Sequence, residues 1–144
     1  MFLLIQDNSA EDSLRVALQA YAKADLQLYQ NKKEEALQLF LAILQKHKGE
    51  SIEEGTLFKV GKIYEEKGDF NKALTYYQNI LDNHKDGIYK DEALYFSAEI
   101  YRKHLLDNEK AKALYEKVVL EHPDSLYYTE SRKQYRTLRG DSTI

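Results

Sequence analysis

The chain has 144 residues, the size of one domain, and its 43% apolar and 31% charged residues are typical of a folded helical protein. Its formal net charge of −3 offers no electrostatic basis for binding nucleic acid or acidic lipid. The cysteine-free sequence excludes disulfide bonds, a thiolate nucleophile and cysteine-ligated zinc, and it suits cytosol and periplasm equally.

The first predicted element is the apolar opening of the chain, residues 1–5. It is much shorter than the roughly 20 residues of a bilayer span, so we predict no transmembrane segment in this chain. It also lacks the basic start and the small-residue cleavage site of a signal peptide. We interpret residues 1–12 as the end of an upstream helix, and we expect this chain to be part of a longer protein.

Residues 13–125 contain three copies of one pattern, which we place at 13–50, 51–87 and 88–125. In the first half of each copy, a ring is followed by a small residue and then by an apolar one: Tyr21, Ala24 and Leu26; Phe58, Gly61 and Ile63; Tyr95, Ala98 and Ile100. In the second half, Ala precedes a ring by four residues: Ala36 and Phe40, Ala73 and Tyr77, Ala111 and Tyr115. The recurrence, at offsets of 37 and 38 residues, indicates an internal repeat.

Within each copy, the apolar residues that begin at the Ala of the second half fall at i, i+4, i+7 and i+8, the spacing of one helix face. We predict turns near Asn31, Gly68 and Asp107, because these residue types end one helix and cap the next. Joints between copies are predicted near residues 49, 87 and 123. Each copy is therefore predicted to be an antiparallel helix pair, with the second-half rings buried and the small residues at close helix contacts.

Residues 126–139 are predicted to form one more helix, which caps the stack, and residues 140–144 form a tail. Three residues of this capping helix are expected to face the stack: Tyr128, Tyr135 and Leu138. Four basic residues are expected to face water: Arg132, Lys133, Arg136 and Arg139. A terminal helix with one polar face is what a repeat array needs for solubility, so we do not interpret these basic residues as a nucleic-acid site.

The repeated residues resemble the tetratricopeptide repeat. The second copy fits that pattern best, with Gly61, Tyr64, Ala73 and Tyr77. The third copy has Ala98, Tyr101, Ala111, Tyr115 and then Pro123, and the first departs from the pattern at Gln27. The resemblance implies an all-α solenoid of three antiparallel helix pairs plus a C-terminal capping helix. It also implies a non-catalytic scaffold that binds a protein or peptide on its concave face.

The end of the third copy, residues 121–125, is similar to the joint of envelope members of this family. Those members include the periplasmic coordinator of the Tol–Pal system and the lipoprotein of the outer-membrane assembly machine. Residues 131–141 resemble the C-terminal end of larger repeat proteins from Bacteroidetes. The resemblance implies the bacterial periplasm or cell envelope, with the cytoplasm as the alternative.

Three histidines share one repeat position: His47, His84 and His122. Equivalent positions in stacked repeats lie roughly 8–10 Å apart, whereas a zinc ligand lies about 2 Å from its metal. We therefore predict rings at helix C-termini and no metal site. Residues 82–87 are similar to the start of a calcium loop, but its twelfth position is Ala93 instead of Glu. No catalytic constellation appears, so we predict no enzyme activity, cofactor or small-molecule substrate.

Tyr21, Phe58 and Tyr95 share the position that members of this family commonly turn toward the concave face. Asp25, Lys62 and Glu99 follow one helical turn later with alternating charge. We predict that these six residues bind an extended or helical segment of a partner protein. The alternative for the rings is packing between neighbouring first helices. The alternative for the chain is a structural or oligomerising segment of a larger envelope protein, with possible self-association and no independent ligand.

Overall fold

The computed structural model describes residues 2–141, with side chains from residue 11 onward. This part of the chain contains seven α-helices and no strand. The helices are α1 (Phe2–Tyr29), α2 (Lys33–Lys46), α3 (Glu53–Glu66), α4 (Phe70–Asn83), α5 (Lys90–Lys103), α6 (Asn108–Glu121) and α7 (Tyr128–Arg139). The predicted all-α class is confirmed. The boundary predicted after residue 12 falls inside α1, which continues through it without a break.

The helices pack as three antiparallel pairs, α1–α2, α3–α4 and α5–α6, which we call the first, second and third helix pairs. Helix α2 also packs on α3, and α4 packs on α5, so each pair stacks on the next. Helix α7 packs on α6 and covers the end of the third pair. This arrangement is the predicted α-solenoid, in which each unit is stabilised by contacts with its neighbours.

The turns inside the helix pairs show where the third copy gains its extra residue. Asn31 and Gly68 adopt the left-handed conformation in the first two turns, with φ of 62° and 82°. In the third turn Leu106 adopts it instead, and the Asp107 side chain accepts a hydrogen bond from the Lys110 amide at 3.1 Å. The Asp69 amide bonds to the carbonyl of Tyr64, five residues back, whereas the Asp107 amide bonds to Tyr101, six residues back. One residue is therefore looped out in the third turn.

The predicted core is confirmed. The rings of Phe40, Tyr77 and Tyr115 are all 0% exposed, as are Ala73 and Ala98. Gly61 marks the closest approach, because a Cβ atom built there would lie 2.5 Å from Cε1 of Tyr77. The small residues therefore allow each second-helix ring to lie against the backbone of its partner helix.

One member of the first-half apolar position departs from the others. Ile63 and Ile100 are 1% and 0% exposed because they pack against α2 and α4 of the preceding pair. Leu26 is 52% exposed, since no preceding pair exists in the described part of the chain. The sequence pattern is the same in all three copies, but in the described residues only the second and third copies have a preceding pair to pack against.

Helix α7 packs through a different set of residues than the periodicity alone indicates. All three residues predicted to face the stack are half-buried, and Tyr135 and Leu138 pack on the core of the third pair. The fully buried residue is Ser131, at the position that Thr56 and Ala93 occupy in α3 and α5. Of the four basic residues, Arg136 is half-buried, which corrects the prediction that all face water. Helix α7 thus begins like a further first helix, and its small residue packs closest to the stack.

Candidate interaction surface

Two of the three predicted rings, Phe58 and Tyr95, belong to a larger aromatic surface along the first helices. We call the following five residues the aromatic row: Phe58, Tyr89, Tyr95, Phe96 and Tyr127. Phe58 lies on α3, Tyr95 and Phe96 lie on α5, and Tyr89 and Tyr127 are the N-caps of α5 and α7. Each ring of the row is half-buried, so its base contacts the protein while part of it meets solvent.

Ring contacts connect the members of the row. Phe58 stacks on Tyr89 with 5.0 Å between ring centroids and lies 5.9 Å from Phe96. Tyr95 stacks on Tyr127 at 4.4 Å and meets Phe96 edge-on at 5.4 Å. Such pairs stabilise one another beyond simple burial. The row is therefore one continuous aromatic surface across the second and third helix pairs.

The row also rests on the core. Phe58 lies 6.0 Å from Tyr77, and Tyr95 lies 6.2 Å from Tyr115. These contacts join the first and second helices of one pair. The alternative predicted for the rings, packing between neighbouring first helices, corresponds to the contact of Phe58 with Phe96 at 5.9 Å. Each ring therefore packs at its base and keeps part of its surface exposed, and binding of a partner there stays a prediction.

Tyr21 lies at the end of the row nearest the first helix pair. It packs edge-on against Phe40 at 5.4 Å and is half-buried like the other rings. Burial, followed by the nearby Tyr89 and Asp25, raises the pKa of its hydroxyl. Gly55 separates Tyr21 from Tyr89, since a Cβ built there would lie 3.8 Å from the Tyr21 hydroxyl and 3.6 Å from the Tyr89 ring.

Sequence reasoning missed three members of the row: Tyr89, Phe96 and Tyr127. Tyr89 and Tyr127 occupy equivalent positions directly after a joint, 38 residues apart. That recurrence was a usable signal. Phe96 had none, because the corresponding residue of α3 is Lys59.

Asp25 and Lys62, two of the predicted site charges, are engaged within the protein. Asp25 pairs with Lys59 of α3 at 3.0 Å. The Lys62 ammonium lies 3.7 Å from the centroid of the Phe96 ring and 3.7 Å from a Glu65 carboxylate oxygen. Both charges therefore border the aromatic surface, and each already has an oppositely charged partner within the protein.

Glu99, the third predicted charge, is the centre of a hydrogen-bond network. It accepts from Arg102 at 2.8 Å and from the Tyr95 hydroxyl at 3.1 Å, and it also bonds the Tyr115 hydroxyl. Burial by itself raises the pKa of Glu99, but hydrogen bonds from Tyr115, Arg102 and Lys103 outweigh it and lower the pKa to about 2. The carboxylate thus orients Tyr95 and is ionised throughout the physiological range.

Glu92 is a second carboxylate on this surface, and within the described residues it lacks the hydrogen-bond network that surrounds Glu99. It is half-buried on α5, and burial together with the neighbouring Asp91 raises its pKa, although Lys62 opposes that shift. In the part of the chain with described side chains, no Lys, Arg or His lies within ion-pair distance of it. Glu92 therefore offers an incompletely compensated negative charge near Tyr127, whose pKa it helps to raise.

The histidine column lies at helix C-termini as predicted. His47, His84 and His122 are the C-caps of α2, α4 and α6. His47 pairs with Glu50 at 3.1 Å and His84 with Glu53 at 2.9 Å, so their partners are separate carboxylates. Across the residues that the structure describes, no group of three or more His, Cys, Asp or Glu side chains could hold a metal ion.

Two segments of the chain match the tetratricopeptide repeat family, at residues 56–87 and 92–125. They fall on the second and third helix pairs and include just under half of the chain. The first pair, with its departure at Gln27, lies outside the matched ranges. Tetratricopeptide repeats generally mediate protein–protein interactions, and proteins of the family are typically non-catalytic scaffolds.

Among solved structures, this chain is similar to a tetratricopeptide repeat protein from Parabacteroides merdae, with 16% identity and a TM-score of 0.47. The similarity covers 88% of this chain and 61% of that one, so this chain spans less than two thirds of its length. No curated protein sequence matches. Within residues 2–141, none of the helices has the length and apolar character needed to span a bilayer. The envelope resemblance is not tested by these findings and stays a prediction.

Proposed function

We propose that this chain is a non-catalytic scaffold that binds a segment of a partner protein on the aromatic row. The observation that carries the proposal is the row itself: five connected rings, all half-buried, on one face of stacked first helices. Large rings held rigidly at a surface lose little entropy on binding and often dominate binding energy. Tyr21 extends this surface onto the first helix pair.

The charges beside the row favour one kind of partner segment. Glu92 is half-buried and has no Lys, Arg or His within ion-pair distance among the described side chains, so a basic side chain of the partner would gain an ion pair there. Lys62 and Glu99 are held by Phe96 and Arg102, and they shape the surface more than they attract ligands. We therefore propose a segment with apolar or aromatic anchors followed by Lys or Arg.

The structural alternative keeps the same surface but gives it a different occupant. If the chain is an oligomerising segment, the row of one copy contacts a second copy or a neighbouring part of a longer protein. Light scattering coupled to size exclusion separates the two at micromolar concentration. A monomer that captures a partner supports the scaffold, and a dimer that Phe58→Ala dissociates supports the alternative.

The scaffold is tested by capture of proteins from a native lysate on the immobilised chain, followed by identification and titration of the retained partner. Phe58→Ala should weaken binding at least tenfold, which corresponds to about 1.4 kcal/mol, because it removes the central ring of the row. Tyr64→Ala is the matched control. Tyr64 is also a half-buried ring of α3, but it stacks on Tyr76 at 5.7 Å away from the row.

The control separates lost contacts from lost stability. Both substitutions remove a packed ring, so both lower the melting temperature, and only Phe58→Ala should reduce capture. If Tyr64→Ala reduces capture to the same degree, the loss follows stability, and the aromatic row is not the binding surface.

The compartment remains a prediction, and we propose the bacterial periplasm or envelope over the cytoplasm on the resemblance of residues 121–125 and 131–141 alone. Fractionation of source cells, with an antibody against this chain, measures it directly. Recovery with cytoplasmic markers would remove the envelope from the proposal without affecting the binding surface.

A further inference from the structure

A second concave site lies between α4 and α6, apart from the aromatic row. The groove has a volume of about 450 Å³. Ser97 and Tyr101 of α5 form part of its lining, between the two second helices. Its apolar lining comes from Leu74, Tyr101 and Leu114. Ser97 and Tyr101 leave α5 on a different side from Tyr95 and Phe96, because the helix turns about 100° per residue.

The equivalent junction between the first and second helix pairs is closed by larger side chains. There Tyr76 of α4 stacks on Tyr64 at 5.7 Å, and Val60 is fully buried. In the groove, Leu114 stands at the position of Tyr76, and Ser97 stands at the position of Val60. Two large-to-small differences thus open a space at one junction that the other fills.

The wall of the groove is polar where its counterpart is apolar. Gln78 and Asn79 of α4 correspond to Leu41 and Ala42 of α2. The Gln78 amide donates to Asp82 at 2.9 Å, and the Asn83 amide donates to Asn79 at 2.6 Å. These bonds fix the orientation of both amides, leaving the Gln78 carbonyl as an acceptor and the Asn79 amide as a donor.

The balance of groups limits the chemistry of a ligand. The wall offers donors and acceptors side by side, and its charged member is the carboxylate of Asp82. Among the residues whose side chains the structure describes, no Lys or Arg lines the groove. An anion would meet repulsion there. A peptide main chain, which carries one N–H donor and one carbonyl acceptor per residue, matches this combination.

We propose that the groove between α4 and α6 binds an extended peptide through its main chain. Thr75, Asn79 and Asn83 lie four residues apart on α4, which spaces them about 6 Å along the helix axis. An extended chain repeats about every 6.4–6.8 Å, or two residues, which is close to the spacing of the wall residues. Successive wall residues can therefore hydrogen-bond to every second peptide group of the ligand. The apolar lining takes one apolar side chain of the ligand, and Asp82 favours a neutral or basic neighbour.

The test is a selection of random nine-residue displayed peptides on the full chain, followed by anisotropy titrations of the enriched peptides. The double variant Ser97→Val with Leu114→Tyr fills the groove with the side chains of the closed junction. Asn79→Ala removes one wall amide from the surface without touching the core. Asn71→Ala, on the same helix outside the groove, is the matched control, and Phe58→Ala reports on the aromatic row.

We expect peptides whose affinity falls at least about tenfold in the filled variant and in Asn79→Ala, and changes less than about twofold in Asn71→Ala and Phe58→Ala. If the filled variant does not fold, Asn79→Ala decides alone. Peptides that depend only on Phe58 would overturn this proposal and leave the proposed function standing. Maltotriose is the contrasting ligand: groove-dependent binding of it, with no groove-dependent peptide, overturns the peptide assignment.

Discussion

The first helix pair and the two later pairs each bury an aromatic ring of the second helix, but the ring is apolar in the first pair and carries a hydroxyl in the other two. Each second helix buries one ring at 0% exposure, and the ring is Phe40 in the first pair but Tyr77 and Tyr115 in the others. The hydroxyls require partners, since a buried donor without one is costly. Tyr77 donates to Glu65 at 2.7 Å. Tyr115 donates to Glu99 and accepts from Arg102 at 3.0 Å.

The partner position changes together with the ring. Glu65 and Arg102 occupy equivalent positions on α3 and α5, and the corresponding residue of α1 is Leu28, which packs on the first core. An apolar ring thus has an apolar neighbour, and a hydroxylated ring has a charged one. Burial of the ring is therefore common to all three pairs, while the polar network is a local addition that must be completed once a hydroxyl is present.

The largest effect should come from removing the ring that has no network. Phe40→Ala is expected to lower the free energy of unfolding by about 3–5 kcal/mol, the cost of a lost aromatic side chain and its cavity. Urea titration followed by circular dichroism measures it. A loss under about 1 kcal/mol would show that the ring is not the centre of the first core.

The next effect concerns the close contact that all three pairs share. Ala73→Leu should overpack the second pair and cost about 1–3 kcal/mol, because Ala73 is 0% exposed beside Tyr77. Ala113→Leu, the same change at an exposed site on α6, is the control and should leave stability nearly unchanged. Equal melting temperatures for the parent and Ala73→Leu would contradict the close helix contact.

A smaller effect tests the comparison itself. Tyr77→Phe should cost about 1 kcal/mol, because it deletes the hydrogen bond to Glu65 and leaves that partly exposed carboxylate without its donor. Adding Glu65→Leu recreates the combination of the first pair, Phe with Leu, and should recover most of the loss. If the double variant is less stable than Tyr77→Phe, the two positions do not act as a unit.

The smallest effect is a difference in acid sensitivity. Glu99 has a pKa lowered from 4.5 to about 2, so its network stabilises the fold fully above pH 4.5 and loses that contribution as pH falls toward 2. Glu99→Gln should therefore be less stable than the parent at pH 7, and the gap should narrow between pH 4.5 and 2. Melting temperatures across that range provide the measurement, and a constant gap would exclude ionisation as the cause.

The repeat period was sufficient to predict the helices, their turns and the buried rings. An apolar residue every three to four positions must face one side of a helix, and three equivalent copies must bury equivalent faces. Phe40, Tyr77 and Tyr115 could therefore be placed in the core, and Gly61 could be placed at a close contact, without coordinates. These properties depend on residues within one helix pair, where local spacing determines what meets what.

The contacts between residues of different pairs depend on how the pairs stack, which the local spacing of residues does not specify. Tyr89 and Tyr127 join the aromatic row because each joint places its N-cap ring over the preceding first helix. Leu26 is exposed although Ile63 and Ile100 are buried, because burial at this position depends on a neighbouring pair. The groove beside Ser97 likewise arises from side chains that oppose one another across a junction. Periodicity gives the face on which a side chain lies, whereas its partner is set by the stacking of successive pairs.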